Sequence, residues 1–203
     1  TIRIDAGKVI RVDHCDYSGY QAVNRRRGFV KPRPAGINSG ATQNILADWN
    51  YIHGCDSTEE FNGKGVLGNE NVNSNLNVNP GIWFENTLVE DIDLPGDLEL
   101  MCFKTTGSTV YRVTMKNVNN TYMNSPRQGK ACRLIECWMD GQSNFVRMFS
   151  EDSQIIGCRF AGNTRALICP GSRYFNGARN LDGSGYTACD RVQVVGNIGE
   201  VAG

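Results

Sequence analysis

The segment from Asp97 to Lys104 carries residue types that can act together on an acidic molecule. Asp97 and Glu99 are two residues apart, so in a β-strand they share a face on which their oxygens suit a hard cation. Lys104 follows an apolar run, and Arg127 comes later in an Arg-Gln-Gly triplet. A cation, an amine and a guanidinium on neighbouring strands would bind and polarise a carboxylate-bearing substrate. The same residues also fit a surface carboxylate pair with two solvated bases.

A short repeated frame predicts the architecture that positions these residues. It reads Cys or Asn, any residue, an apolar residue, any residue and Gly, and the shortest interval matches one turn of a parallel β-helix. Clear copies begin at Cys15, Asn50, Cys137 and Cys158, copies with a changed last position at Asn86 and Val113, and a weak copy at Asn197.

Each turn of such a solenoid cannot bury its inward side chains alone, so turns stack and equivalent residues form ladders. Alternate residues point inward, Asn or Cys at an inward corner stacks on its counterpart, and the Gly permits the bend to the next face. With 23 glycines and little helical periodicity, we predict an all-β chain: a right-handed parallel β-helix in which residues 1–203 form one domain. A β-sandwich with coincidental matches is the alternative.

The longer intervals predict loops inserted at about 20–42, 55–80 and 170–188. The first carries Arg25, Arg26, Arg27, Lys31 and Arg33 without an acidic residue, which suits a groove for an anionic chain or a solvated loop. The chain shows no obvious cap at either end. Because an exposed strand edge pairs with other chains, we expect a fragment of a longer coil, covered by flanking sequence or by self-association.

Composition argues against two classes of partner. Lys plus Arg and Asp plus Glu are 21 each, so no net charge favours nucleic acid. No apolar run approaches the ~20 residues of a membrane-spanning helix, and the first residues do not begin like a signal peptide. Two histidines argue against a Cys/His zinc site, and the eight cysteines leave disulfides and a stack of buried free thiols both open.

Together these motifs resemble polysaccharide lyase family 6, the parallel β-helix lyases that include chondroitinase B and many alginate lyases. That family carries an acidic-x-Glu-x-x-x-x-Lys segment and, about one turn later, Arg-His-Gly. The matching residues here are Asp97, Glu99, Lys104 and Arg127. Residues 11–14 resemble the family's Arg-Ile-Asp-His stretch and residues 146–148 its Ile-Arg-Ile stretch, so the resemblance covers most of residues 9–162.

The resemblance implies a Ca²⁺ site. Asp97 and Glu99 would bind the ion together with an asparagine. Asn38 lies in a segment similar to the family's Asn-Gly-Gly, whereas Asn69 has the more family-like distance from Asp97; Asn38 is preferred. Asp97 stands where the family usually has Glu, which shortens the reach of this ligand.

The resemblance also implies catalytic roles. Lys104 would abstract the C5 proton of a uronate, and Arg127 would serve as the acid. The implied substrate contacts are Arg147, Gln128 and His14. Gln128 replaces the histidine of the family's Arg-His-Gly, so this polar contact departs from the pattern.

The resemblance therefore predicts a Ca²⁺-assisted lyase, secreted or periplasmic, that cleaves an anionic polysaccharide of the alginate or dermatan/chondroitin type by β-elimination. Neither nucleic acid nor a membrane is an expected partner. The alternative from another class is a non-catalytic β-helical carbohydrate-binding, adhesin or phage tail-spike module, which needs no base. A β-helix hydrolase would use Asp97 and Glu99 as paired carboxylates, but the matched Lys and Arg argue against it.

Overall fold

The computed structural model describes residues 2–4, 9–18, 30–32, 45–56, 64–68, 82–103, 107–126, 131–142, 144–148, 150–162, 167–168 and 189–201. Every helix or strand in these ranges is a β-strand, as predicted. In chain order the strands are β1 (Ile2–Ile4), β2 (Ile10–Asp13), β3 (Asp16–Ser18), β4 (Val30–Pro32), β5 (Ile45–Asp48), β6 (Tyr51–Asp56), β7 (Lys64–Gly68), β8 (Ile82–Glu85), β9 (Leu88–Phe103), β10 (Thr109–Tyr111), β11 (Thr114–Pro126), β12 (Arg133–Ile135), β13 (Trp138–Gly141), β14 (Asn144–Arg147), β15 (Gln154–Ile156), β16 (Arg159–Gly162), β17 (Leu167–Ile168), β18 (Gln193–Val195) and β19 (Ile198–Val201).

The strands form two sheets, and every described pair is parallel. The small sheet has seven strands in the order β18-β15-β12-β10-β8-β5-β2. The large sheet has 12 strands and two branches that share β9 and β11. Its first branch contains β3, β6, β13, β16 and β19 with residues 88–93 and 114–119, and its second branch contains β1, β4, β7, β14 and β17 with residues 98–103 and 121–126.

The chain visits these surfaces in a fixed order. A small-sheet strand is followed by one in the first branch and then one in the second, as in β2, β3 and β4 or β12, β13 and β14. We call each such set a repeat and name it by its small-sheet strand. Equivalent strands of successive repeats pair in register, so residue types stack along the molecule, in agreement with the predicted stacking of turns.

The repeats bend at corners where the backbone is left-handed. The first corner lies between the small sheet and the first branch, and a positive φ there recurs in every repeat, with values from 47° at Asn86 to 64° at Gly196. The corner before the second branch holds Gly141 (φ 148°) and Gly162 (φ 105°), which confirms the predicted bend at these frame glycines. Since L-residues with side chains rarely adopt this conformation, its recurrence at equivalent positions reflects the constraint of the fold.

Directly after the first corner, one residue of each repeat contributes to a ladder along the inside. Its members are Cys15, Asn50, Thr87, Val113, Cys137, Cys158 and Asn197. The carbonyl of each of the first six accepts a hydrogen bond from an amide of the next repeat, and the Asn197 side chain donates to the Ile155 carbonyl of the preceding repeat. The predicted copy of the frame at Asn86 was wrong by one residue. Asn86 occupies the corner itself with a φ of 47°, and the buried Thr87 takes the ladder position.

The core lies between the sheets and consists of the inward residues of successive repeats. From the small sheet come residues such as Phe84 and Leu134, and from the first branch residues such as Met115 and Met139, all fully buried. Their contacts stabilise the stack because each apolar side chain is covered by its counterparts one repeat away.

Two of the ranges predicted as inserted loops, about 20–42 and 55–80, contain the strands β4 and β7. Part of each range therefore pairs in the large sheet.

Asn50 is the polar residue on which the N-terminal part of the ladder depends. Its Oδ1 accepts a hydrogen bond from the Cys15 amide at 3.0 Å, and its Nδ2 donates to the Val12 carbonyl at 3.1 Å. Asn50 thus bonds along the stack, but its partners are backbone groups of the preceding repeat, and its ladder neighbours are Cys15 and Thr87. Asn50 is buried, so no water replaces these bonds when they are lost.

We expect Asn50→Ala to lower the free energy of unfolding by about 2 kcal/mol or more, because two buried backbone groups lose their partners. Asn197→Ala is the matched control. Asn197 makes the same bonds to Cys158 and Ile155 but is half-buried, so water can substitute and the loss should be smaller. Urea unfolding measures both, and equal losses would contradict this role of burial.

Candidate functional site

Asp97 and Glu99 lie in β9, where the structure describes only their backbone. Glu99 pairs with Tyr122 of β11 and with Lys64 of β7. Just before it, β9 advances from Asp93 to Leu98 while β11 advances only from Asn119 to Thr121. Asp97 therefore adjoins a local irregularity in the sheet, and Glu99 stands in the regular part that follows.

Lys104, Arg127, Gln128 and both candidate asparagines, Asn38 and Asn69, lie outside the described residues. The residues that precede the two catalytic candidates are described, however. Phe103 is the last residue of β9 and Pro126 the last of β11, and these two pair in register. The chain therefore leaves the second branch at the same level in two adjacent repeats, immediately before Lys104 and Arg127.

Arg147 is the last residue of β14, one strand further along the same branch. It is half-buried, and its backbone pairs with Ile168 of β17. The preceding residue, Val146, pairs with Asn124 of β11, which itself pairs with Met101 of β9. The backbone therefore places Arg147 close to the level at which β9 and β11 end, in the next repeat.

His14 stands apart from this group of strands. It is exposed at the first corner of the β2 repeat, with its Nδ1 3.3 Å from Asp13 Oδ2. The corner joins the small sheet to the first branch, whereas Glu99 and Arg147 belong to the second branch.

Arg11, in the β2 strand just before His14, forms an ion pair with Asp48 of β5. Its Nε and Nη2 donate to the two carboxylate oxygens of Asp48 at 3.0 and 2.7 Å, and Asp48 is only 2% exposed. This fork raises the pKa of Arg11 through the hydrogen bond and the charge of Asp48. Because a buried carboxylate needs a charged partner, the ion pair ties the β2 repeat to the β5 repeat.

The described side chains contain no group of three or more His, Cys, Asp or Glu arranged to hold a metal ion. The side chains of the implied ligands Asp97, Glu99 and Asn38 are not among them. Two carboxylates and an amide are oxygen donors of the kind that Ca²⁺ takes, so the chemistry of the donor set fits the ion. The Ca²⁺ site remains a prediction.

A polar cluster that the sequence reasoning missed occupies the outer surface of the first branch. The Nε2 atom of His53 lies 2.9 Å from Asp16 Oδ1, and the His53 ring stacks on Tyr51 with 4.1 Å between centroids. The Tyr51 hydroxyl donates to Glu90 Oε1. The cluster spans three repeats and joins acidic, imidazole and phenol groups on one face.

The signal for this cluster was present in the repeated frame. Its members occupy the positions where the frame allows any residue, which point outward when the apolar position points inward. Alignment of the β2, β5 and β8 repeats on their ladder residues would have stacked Asp16 on Tyr51 and His53 on Glu90, which are register pairs. The frame at Asn86 was one residue out, and that error hides the second pair.

The hydrogen bond to Glu90 raises the pKa of Tyr51 to about 12, and desolvation adds to the shift. Between its ordinary value of 10.0 and about 12, the folded protein retains a phenolic proton that the unfolded chain has lost. The stability contributed by this bond is therefore complete below about pH 10 and is lost as the pH rises towards 12.

We expect Glu90→Gln to make one tyrosine ionise at lower pH, measured by tyrosinate absorbance across an alkaline titration of the folded protein. Tyr51→Phe is the control, because it removes the late-ionising group altogether. An unchanged titration curve in Glu90→Gln would show that Glu90 does not hold the proton of Tyr51.

Compared with known proteins, the chain matches no protein-family model, no curated protein and no solved structure. The fold defines an all-β protein of stacked parallel strands. Within the described ranges, no helix is long and apolar enough to span a membrane.

Proposed function

We propose that this chain is a right-handed parallel β-helix and a Ca²⁺-assisted lyase that cleaves a uronate-containing polysaccharide by β-elimination. The recurring order of small sheet, first branch and second branch supports the solenoid. Its hand follows from the strong preference of parallel crossover connections for the right-handed form. An extracellular or periplasmic location accords with a polysaccharide substrate.

The observation that carries the proposal is the pairing of Phe103 with Pro126. It supports the placement of Lys104 and Arg127 at adjacent levels, because each directly follows one member of this pair. Adjacent parallel strands are about 4.8 Å apart, a spacing at which two long side chains reach the same sugar residue. Arg147 is the last residue of the second-branch strand in the next repeat. Three cationic residues of successive repeats would therefore lie side by side along the edge at which these strands end.

Elimination needs a base, a stabilised anion and a protonated leaving group. Lys104 acts as the base on the C5 proton, for which its amine must be neutral, and the positive charge of Arg127 nearby favours that neutral form. As the C4–O bond breaks, Arg127 donates hydrogen bonds that stabilise the charge on the leaving glycosidic oxygen, which takes its proton from water. Arg147 holds a substrate acid group. Bound at Asp97, Glu99 and Asn38, Ca²⁺ would neutralise the uronate carboxylate beside the reacting carbon.

The test is to incubate the protein with alginate, and separately with dermatan sulfate, in Ca²⁺ or in chelator. Elimination creates a 4,5-unsaturated uronate, so ultraviolet absorbance should rise with one polymer in Ca²⁺ and stay flat in chelator. Mass spectrometry of the products confirms the unsaturated end. A flat trace from folded protein on both polymers, with Ca²⁺ present, would overturn the proposal.

A second candidate is a glycan-binding module without catalysis, and aromatic side chains on the outer surface of the first branch favour it. Trp138 is 45% exposed on the first branch, with the Arg159 guanidinium 5.5 Å from its ring centroid. Tyr51 stands in the same outward row, related to Trp138 through Leu88 and Thr114 by successive register pairs. Aromatic rings spaced along one outer row of a sheet suit stacking on sugar rings.

Binding and turnover distinguish the two candidates. In affinity electrophoresis, a polymer that binds the protein slows its migration through the gel. If Trp138→Ala abolishes this slowing and the unchanged protein produces no unsaturated uronate, the binding module is correct. If turnover survives in Trp138→Ala, the exposed ring is not required for the lyase reaction.

A further inference from the structure

Cys137 and Cys158 are consecutive members of the ladder after the first corner. The residues on both sides of them pair in register, Ile135 with Ile156 and Trp138 with Arg159. The Arg159 amide also donates to the Cys137 carbonyl at 2.8 Å. The two cysteines therefore face each other across adjacent parallel strands, whose spacing of about 4.8 Å lies within the Cα separation of about 4.4–6.8 Å that a disulfide spans.

Both side chains are held inside the stack. Each cysteine is 1% exposed, and both are free thiols. The Cys137 Sγ lies 3.4 Å from the Ile135 carbonyl oxygen, and the Cys158 Sγ lies 3.6 Å from the Ile156 carbonyl oxygen. These equivalent contacts orient the two thiols alike, one above the other.

The two thiols differ in acidity because each influences the other. Interaction with Cys158 raises the pKa of Cys137, and burial raises it further. Interaction with Cys137 lowers the pKa of Cys158, against the opposing effect of burial. Cys158 is therefore the sulfur on which negative charge is stabilised, and Cys137 is the one that keeps its proton.

We propose that Cys137 and Cys158 are a redox-active pair, which a small hydroperoxide converts into a disulfide that links the β12 and β15 repeats. The site is independent of the lyase proposal, since neither cysteine belongs to the second branch.

The reaction balances with hydrogen peroxide as the oxidant. The Cys158 thiolate attacks one peroxide oxygen and breaks the O–O bond, which gives a sulfenic acid at Cys158 and hydroxide. The Cys137 sulfur then attacks the Cys158 sulfur, forms the S–S bond and displaces the hydroxyl, which leaves as water together with the thiol proton. The two sulfurs are oxidised and the peroxide is reduced to water. Local opening of the stack admits the small oxidant.

Cys132 provides a matched internal control. It is equally buried, and burial raises its pKa to about 11. Cys132 lies just before a small-sheet strand, and serines occupy the equivalent positions of the adjacent repeats: the Cys132 amide donates to Ser153 Oγ, and the Ser108 carbonyl accepts from the residue after Cys132. Cys132 therefore has the burial of the pair without a thiol at the equivalent position of an adjacent repeat.

The test treats the folded chain with hydrogen peroxide, blocks the remaining thiols after unfolding, and maps tryptic peptides without reduction. Cys137 and Cys158 fall in separate peptides, residues 134–147 and 148–159. We expect these peptides to appear joined, with the mass of two hydrogens lost, while Cys132 is recovered as the blocked thiol. Reduction should restore both peptides.

Two variants identify the attacking sulfur. Cys137→Ser should leave a sulfenic acid at Cys158 that dimedone traps, whereas Cys158→Ser should leave Cys137 unreacted. Circular dichroism confirms that each variant is folded before oxidation. Recovery of both cysteines as blocked thiols, or a Cys158 peptide joined to a different cysteine, would overturn the proposal. Dimedone capture on Cys137 in Cys158→Ser would reverse the assigned roles and contradict them.

Discussion

Lys104→Ala is expected to lower the rate of unsaturated-uronate formation by ~10²–10⁴-fold, the usual contribution of a positioned general base. The loss arises because the proposed mechanism assigns no other amine to the C5 proton. It should appear in kcat, since a base acts in the transition state, and much less in binding of the polymer. Initial rates at saturating polymer and Ca²⁺, with binding measured separately, give both quantities.

Lys116→Ala is the matched control for that measurement. Lys116 is an exposed lysine of the first branch in β11, the strand whose end precedes Arg127, so its loss removes the same charge at a distance from the proposed site. We expect its rate to stay within about twofold of the unchanged protein, because distant surface charges are screened by salt. If the two variants lose activity equally, Lys104 contributes through general charge and is not the base.

Gly141→Ala is expected to cost about 3 kcal/mol or more of folding free energy. A Cβ at this position would lie 2.2 Å from the Val118 carbonyl oxygen and 2.6 Å from the Val118 amide nitrogen, which are backbone atoms of the paired strand. Backbone atoms in a sheet cannot move aside as a side chain can, so the strands must separate. The φ of 148° adds the strain of a conformation that few residues other than glycine adopt.

Two other glycines separate these contributions. Gly157 has a φ of 62° and only an ordinary 3.6 Å contact with Glu136 Cγ, so Gly157→Ala should show conformational strain of about 1–2 kcal/mol alone. Gly199 has no atom within 4 Å of its added Cβ, so Gly199→Ala should change stability by less than about 0.5 kcal/mol. We expect the urea midpoint to be highest for Gly199→Ala, lower for Gly157→Ala and lowest for Gly141→Ala. If Gly141→Ala were as stable as Gly157→Ala, the close approach to Val118 would be relieved without cost.

The strands and their stacking could be predicted because the pattern behind them is local. An apolar residue two positions after a ladder residue points inward in the repeats from β5 to β15, and the frame recorded that alternation at Ile52, Met139 and Phe160. The copy at Asn86 failed because Asn suits both the inward ladder and a left-handed corner. Sequence type alone does not distinguish these two positions, whereas the register with Asn50 does.

The amino-acid sequence by itself determined the all-β class, the period of the stack and the residue types at its inner corners, because these follow from side-chain alternation and burial within one repeat. The tertiary structure decided which residues of different repeats meet. The pairing of Phe103 with Pro126, the alignment of Cys137 with Cys158 and the cluster around Tyr51 all depend on register between strands distant in the chain. Register is set by the cooperative packing of whole repeats, in which a shift by one residue would turn every inward side chain outward.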